Sequence, residues 1–475
     1  MVRAAARVSL LATVLAAAAL AAGCTSGSSP HATASGGTGT ATPTASATTA
    51  SASPSATPAA ADWPTYHRTA DRTGFVPDLA PVHRLAPAWR ARLDGAVYGQ
   101  PLVIGDLVVA ASENDTVYGL DRATGQVRWR RHLGTPVPRS QLPCGNIDPL
   151  GITGTPAYDA TSGSVYVVTE TTGARHTLVE LDAATGAVRR RTSLDVTRRD
   201  QRAEQQRGAL AVAGGRVYVP FGGLEGDCGN YVGYVTATPV DGTGATTAYA
   251  VPTAREGGIW AASGVAVDAA GDVWVAVGNG ASTGGRYDGS DSVLRLAPDL
   301  SRRLDVFAPS SWGSQNAADQ DLGSTGPMLL GSGRVLVSGK DAEVYLLDAA
   351  RLGGIGGQLA RLGGCAGFGG SAFDPTARAA FVPCRDGVLR VEVGSSTLRA
   401  GWKAAAAVAG SPVVGAGAVW ALDPVGGRLH VLDEATGRQV TSLIVGTTSR
   451  FASPVLVAGL VVVPTMSGLT ALAVS

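Results

Sequence analysis

From Trp63 onward the chain repeats itself, and no other feature limits its fold as strongly. The clearest units run apolar strand, turn, apolar strand, Asp, Thr-Gly turn, strand. One unit takes in residues 100–103, 107–110, 117–121 and 127–129, with Ala123-Thr124-Gly125 before its last strand. A second takes in 155–158, 164–168, 178–182 and 188–191, with Ala184-Thr185-Gly186. A third takes in 411–414, 418–421, 429–433 and 439–443, with Ala435-Thr436-Gly437. Thr-Gly falls where the outermost hairpin turns, because glycine accepts a positive φ without strain. Degenerate copies have innermost strands that begin near Ala209, Ser263, Gly326 and Gly370, and a partial copy begins at Ser453. That makes eight innermost strands. The apolar runs are short, rich in Val and broken by Gly and Pro, which argues against helices.

The last unit stops without an outer strand. Residues 88–93, Ala-Trp-Arg-Ala-Arg-Leu, form an unpaired strand ahead of the first full unit and can supply it. Closing a ring with both chain ends removes two exposed edges. The expected fold is therefore all-β: a single eight-bladed β-propeller of four-stranded antiparallel blades over residues 62–475, closed by an N-terminal strand.

Residues 1–23 are expected to be a lipoprotein signal peptide. Arg3 and Arg7 precede an apolar stretch over residues 8–22, shorter than the ~20 residues that span a bilayer. It ends in Leu20-Ala21-Ala22-Gly23-Cys24, which resembles a lipobox with Ala21 where Leu is commoner. Cys24 is then the lipidated N-terminus. Residues 25–61, almost entirely Ser, Thr, Ala, Gly and Pro, cannot bury a core and read as a disordered tether. The expected location is the extracytoplasmic side of the cell membrane, with two or more acyl chains for stable anchoring. The formal charge is +1, and losing Arg3 and Arg7 leaves 36 basic against 37 acidic residues. That balance gives no reason to expect a nucleic acid partner.

The run Val-Tyr-Gly-Leu-Asp-Arg-Ala-Thr-Gly-Gln-Val-Arg-Trp at 117–129 resembles the repeats of pyrroloquinoline quinone (PQQ) type propellers. Trp63-Pro64-Thr65-Tyr66-His67 with Arg72-Thr73-Gly74 is similar to the start of many such chains. The resemblance covers residues 63–475. It implies the fold and leaves function open, because that superfamily holds quinoprotein dehydrogenases, outer-membrane assembly scaffolds and uncharacterised lipoproteins.

Four cysteines follow Cys24, an even set suited to two disulfides in an exported chain. Three pairings are open in principle. In a propeller, loops between blades share a face with the loops joining second to third strands, and all four cysteines fall on that face. Cys144–Cys228 and Cys365–Cys384 join near neighbours, whereas the other pairings cross the funnel.

The same face carries the long loops at 139–153, 221–231, 279–292 and 310–324. Asn279, Asp288, Asp291, Asp319, Asp321, Trp260 and Trp312 make it the candidate ligand or ion face. Asp148, Glu225, Asp227 and Asn316 lie on the same loops. Such carboxylates and amides could hold Ca²⁺, but they equally cap turns and satisfy backbone amides, which is the reading favoured. Gly280-Ala281-Ser282-Thr283-Gly284 matches a nucleophile elbow, yet a strand rather than a helix is expected after it. His176 and His430 read as structural. No catalytic residue and no metal site is assigned.

The resemblance implies, for a dehydrogenase, a Ca²⁺-bound PQQ, an aspartate base and often a disulfide between adjacent cysteines. No adjacent pair exists here, and the family's Glu/Asn/Asp set finds no matching motif. The expectation is a membrane-anchored, non-catalytic scaffold that binds a protein or another cell-envelope partner and carries neither PQQ nor Ca²⁺. Two alternatives stand beside it: a PQQ-dependent oxidoreductase using the funnel, and a sugar or small-ligand binding protein using Trp260 and Trp312.

Overall fold

The computed structural model describes residues 62–196, 199–404 and 410–475. The expected signal peptide, Cys24 and the whole tether lie outside these residues. Eight antiparallel sheets follow one another along the chain, each built of four strands or carrying one short addition. Blade 1 runs Leu102–Ile104, Leu107–Ser112, Thr116–Asp121, Val127–His132 from inside to outside. Blades 2 to 7 repeat that order, with innermost strands Ala157–Asp159, Ala211–Ala213, Ala266–Val267, Met328–Leu329, Ala372–Asp374 and Val413–Gly415. Blade 8 has Val455–Val457, Leu460–Thr465 and Gly468–Val474, and its outer strand is Leu85–Arg92. The closing strand is thus longer than residues 88–93. It runs antiparallel to Gly468–Val474, with Leu85 opposite Val474 and Arg92 opposite Gly468.

Burial follows strand position. Every residue of Leu107–Ser112 is buried, because a middle strand is covered on both faces by neighbouring blades. Val127–His132 is exposed along most of its length. Blades grip each other through tryptophan. Gly186 has φ +67°, and a Cβ there would lie 2.4 Å from the Trp129 ring of blade 1. Trp129 also donates its indole N–H to Ala183 O at 3.1 Å. Trp89 of the closing strand lies on Gly125 in the same manner and donates to Arg122 O at 2.9 Å. Trp402 lies on Gly437 and donates to Glu434 O at 2.9 Å. In each turn an aspartate caps the hairpin: Asp182 accepts from the N–H of Thr185 at 2.9 Å and from its hydroxyl at 2.8 Å. The Thr-Gly signature is therefore both a turn and a socket for the next blade.

Residues 63–76 line the inside of the ring. Trp63 exchanges backbone bonds with Val103 of blade 1. Tyr158, Val267, Leu329, Phe373 and Val414 donate their N–H groups to carbonyls of Pro64, Ala70, Asp71, Thr73 and Gly74. These donors belong to the innermost strands of blades 2, 4, 5, 6 and 7. Phe75–Val76 then pairs in parallel with Val413–Gly415. Arg72, 2% exposed, supplies the missing donors: it bonds Val265 O, Leu210 O and Tyr66 O at 2.8, 2.9 and 2.8 Å. Gln100 ties this segment to blade 8. Its carbonyl accepts from Trp63 Nε1 at 3.0 Å and from His67 N at 2.8 Å, and its amide donates to Pro454 O at 2.8 Å. Burial holds the His67 imidazole neutral, with its pKa lowered to about 3.

Candidate functional site

Two disulfides hold the long-loop face. Cys144 is bonded to Cys228 with Cα atoms 6.1 Å apart, over a small core that includes Leu142, Ile147, Leu150 and Leu224. Cys365 is bonded to Cys384 with Cα atoms 5.0 Å apart. Inside the ring a cavity of about 310 Å³ opens among Tyr66, Tyr98, Thr153, Arg207, Arg450 and Phe451. Tyr66 comes from the segment that lines the ring. The others come from loops before or within blades 1, 2, 3 and 8.

Phe451 packs edge-on against Trp260, ring centroids 6.3 Å apart. The Lys340 ammonium lies 5.5 Å from the Trp260 ring centroid. Lys340 also bonds Asp319 at 2.7 Å and pairs with Asp321. Asp321 in turn accepts the Asn279 N–H at 2.6 Å. Gly278 permits this close approach, since a Cβ there would fall 2.2 Å from the Asp321 carboxylate and 3.0 Å from the Trp260 indole nitrogen. Burial raises the Asp321 carboxyl, and the Lys340 ammonium draws it back. Asp291 is fully buried beside it. One oxygen accepts the Leu322 N–H at 3.0 Å, and the other has no hydrogen-bond partner. Burial and the Asp321 charge push Asp291 well above the usual carboxylate range. Burial and the neighbouring carboxylate thus favour the protonated form of Asp291, while Lys340 favours the charged form of Asp321.

A second acidic group lies behind the cavity wall. Glu113 is 2% exposed, accepts the Gly151 N–H at 2.8 Å and is pushed up to about 8 by burial. Asp115 is pushed up to about 9 by burial beside Glu113 and Glu170. His176 sits 3.2 Å from Glu170 and 3.6 Å from Asp195. Although burial opposes its charge, those carboxylates raise it to about 10.

The structure divides the candidate ligand face. Trp260, Asn279, Asp291, Asp319 and Asp321 gather around Lys340. Asp288 does not join them: it accepts from Ser282 N, Thr253 Oγ1 and Ser290 Oγ at 3.1, 2.8 and 2.5 Å and shapes its own loop. Asn316 likewise bonds Gly280 N and Ser290 Oγ, both at 2.8 Å. Trp312 begins the short helix Trp312–Ala317 and packs on Tyr287, centroids 5.1 Å apart. Ser292–Leu296 is a strand, so Ser282 has no helix behind it. Sequence reasoning missed Lys340, Arg207, Arg385, Arg450, Phe368 and Phe451. Lys340 had a signal, being one of only two lysines in the chain.

Comparison with known proteins bears on the fold and on the activity expected of it. Residues 86–226 match a PQQ-repeat family model described as "Outer membrane protein assembly factor BamB". Over 144 residues the chain is 31% identical to a polyvinylalcohol dehydrogenase of Sphingopyxis sp. (strain 113P3), a match spanning 30% of this chain and 19% of that protein. The quinohemoprotein alcohol dehydrogenase of Comamonas testosteroni has the same fold, with a TM-score of 0.69 and 16% identity over 87% of this chain and 80% of that one. A europium-containing methanol dehydrogenase gives 0.68, also at 16% identity, over 87% of this chain and 98% of that one. These relatives correct two expectations. The non-catalytic scaffold and the absence of a cofactor rested on missing linear motifs, whereas the curated relative and these two solved structures are named as dehydrogenases. Residues brought together from separate blades leave no linear motif in a sequence, so the absence of one does not exclude an activity.

Proposed function

The chain is a PQQ-like β-propeller, and from that premise we propose that it is a quinoprotein oxidoreductase acting on a hydroxyl compound at the long-loop face. The observation that carries this reading is the Trp260–Lys340–Asp321 arrangement next to the cavity. A planar quinone with carboxylates needs an enclosed space, a ring face and cations. The cavity falls at the lower end of the ~300–1,000 Å³ usual for small-molecule sites. Trp260 and Phe451 offer rings, and Arg207 has a buried Nε without a hydrogen-bond partner. The residues fit such a group. No three His, Cys, Asp or Glu side chains among the described residues are gathered for a metal, so no metal is assigned a place.

When bound, the quinone supplies the two-electron, two-proton acceptor that turns an alcohol into a carbonyl. Asp321, buried next to the cavity and held by Lys340 and the Asn279 N–H, is the carboxylate proposed to receive the proton of the substrate hydroxyl. Lys340 favours the charged form of Asp321 against the effect of burial, and burial beside Asp321 disfavours a second negative charge on Asp291. Trp260 and Phe451 keep water from the reacting face. In the same reading, Cys24 carries a lipid anchor that holds the propeller at the extracytoplasmic surface of the cell membrane. Support for the anchor comes from the lipobox-like residues 20–24 and the tether after them.

The test is dye-linked oxidation by the full chain loaded with PQQ, with and without Ca²⁺, on primary and secondary alcohols, aldose sugars and uronates. Turnover is expected, falling at least 100-fold in Asp321→Asn with the melting temperature held within a few degrees. No dye reduction on any of these substrates by quinone-loaded protein would refute the proposal.

A further inference from the structure

We infer that the funnel rim binds carboxylate groups of the substrate through one alternating stack, Arg385–Phe368–Arg450–Phe451–Arg207, so that the hydroxyl compound is an acidic one of the uronate or sugar-acid class. As a statement about substrate, this rests on the oxidoreductase reading above. The Arg385 guanidinium lies 5.0 Å from the Phe368 ring centroid. Arg450 lies 4.5 Å from Phe368 and 4.7 Å from Phe451, so two rings share one cation. Arg207 lies 5.5 Å from Phe451 on the cavity side. Arg385 and Arg450 are exposed, Arg207 is half-buried, and Arg207 and Arg450 both line the cavity. The stack therefore leads from solvent into the site.

These arginines differ from others in the chain. Arg128, Arg189 and Arg190, on outer strands, each hold a carboxylate at 2.7 Å or less. Among the described residues, none of the three rim arginines makes an ion pair of that kind. Arg207 donates to the neutral Gln205 carbonyl at 2.8 Å. Glu225 lies on the cavity wall and is the acidic group that acts on both Arg207 and Arg450. Ring faces fix where a guanidinium sits without cancelling its charge or using its N–H edge. Like charges in a row repel: burial and then Arg450 lower the Arg207 pKa, and burial and then Arg385 lower that of Arg450. A carboxylate relieves that repulsion and matches the planar N–H fork. Two exposed arginines bridged by Phe368 suit successive carboxylates along an acidic chain. A carboxylate could also belong to the quinone, so the experiment separates the two sources.

Trigalacturonate and a neutral galactose trisaccharide are the probes, titrated calorimetrically into the full chain with and without PQQ. The wild type is expected to bind trigalacturonate at least tenfold more tightly than the neutral trisaccharide, with affinity falling as salt rises. Arg385→Gln/Arg450→Gln should bring that preference close to one, and Arg385→Lys/Arg450→Lys should restore part of it. Melting temperature reports whether each variant folds. Trigalacturonate binding in a chain with no quinone-dependent oxidation supports the acidic rim while refuting the oxidoreductase. Oxidation of neutral alcohols with no preference for the acid overturns this inference and leaves the oxidoreductase standing. Loss of PQQ binding in the Gln variant, with trigalacturonate binding unchanged, assigns the stack to the cofactor and also overturns it.

Discussion

Gly186→Ala tests whether the Thr-Gly turn is a socket as well as a bend. At φ +67° an alanine costs about 1–2 kcal/mol for the left-handed backbone alone. Its Cβ would also stand 2.4 Å from one Trp129 ring atom and 2.7 Å from another, a contact that forces the indole out of its seat. Overpacking of this kind costs about 1–3 kcal/mol more, for a total of about 2–5 kcal/mol. Gly105→Ala is the control. Gly105 has φ +57°, but nothing lies within 4 Å of the point where an alanine Cβ would stand, so only the backbone cost applies. In a Trp129→Ala background Gly186→Ala should likewise cost only the backbone part, giving a coupling of about 1–3 kcal/mol in a double-mutant cycle. Urea denaturation followed by far-UV circular dichroism measures all four corners without depending on tryptophan fluorescence. Equal losses for Gly186→Ala and Gly105→Ala, with no coupling to Trp129, would refute blade-to-blade docking through this turn.

Other perturbations follow from single groups. Glu113 has a folded pKa near 8 against an ordinary 4.5, so the folded protein keeps a proton that the unfolded chain gives up. Its burden on stability is absent below about pH 4.5 and grows as pH rises toward 8. Glu113→Gln should therefore stabilise by about 3 kcal/mol at pH 7 and by little at pH 4.5, and equal effects at both would contradict the assignment. Arg72→Met leaves the carbonyls of Val265, Leu210 and Tyr66 without this donor and should lower stability by more than about 3 kcal/mol by the same urea assay. A loss under about 1 kcal/mol would show that the inner segment does not brace the ring. Cys24→Ser should release the protein from membranes or block processing of its precursor, whereas deleting residues 25–61 should leave melting unchanged.

Much of the architecture could be read locally. Three blades repeat an Asp, a Thr-Gly turn and flanking apolar strands, and the degenerate copies keep the spacing of some forty to sixty residues, so the blade count could be read along the chain. The closing strand was visible because the last unit ends without an outer strand while residues 88–93 stand unpaired ahead of the first full unit. The inner segment was noticed only as a resemblance. Its partners are single amides and carbonyls from six or more blades, which carry no side-chain signature. The site was harder still. Trp260, Asn279, Asp321 and Lys340 lie on separate turns, and Arg207 meets Phe451 only because the ring closes. The favoured reading of Asp and Asn as loop caps describes Asp288 and Asn316, but it passed over the lysine that binds Asp321. Arguing from absent motifs to an absent activity failed for the same reason.

Direct measurement of quinone binding tests the central claim. The full chain is titrated with PQQ, with and without Ca²⁺, while quinone absorbance and thermal unfolding are followed on the same samples, for wild type and Lys340→Met. The account predicts saturable binding to the wild type and a melting temperature that rises with ligand concentration, because a ligand that binds only the folded state stabilises it. In Lys340→Met the affinity should fall at least tenfold. Absorbance and melting that stay unchanged at millimolar PQQ in the wild type, with and without the metal, would contradict it.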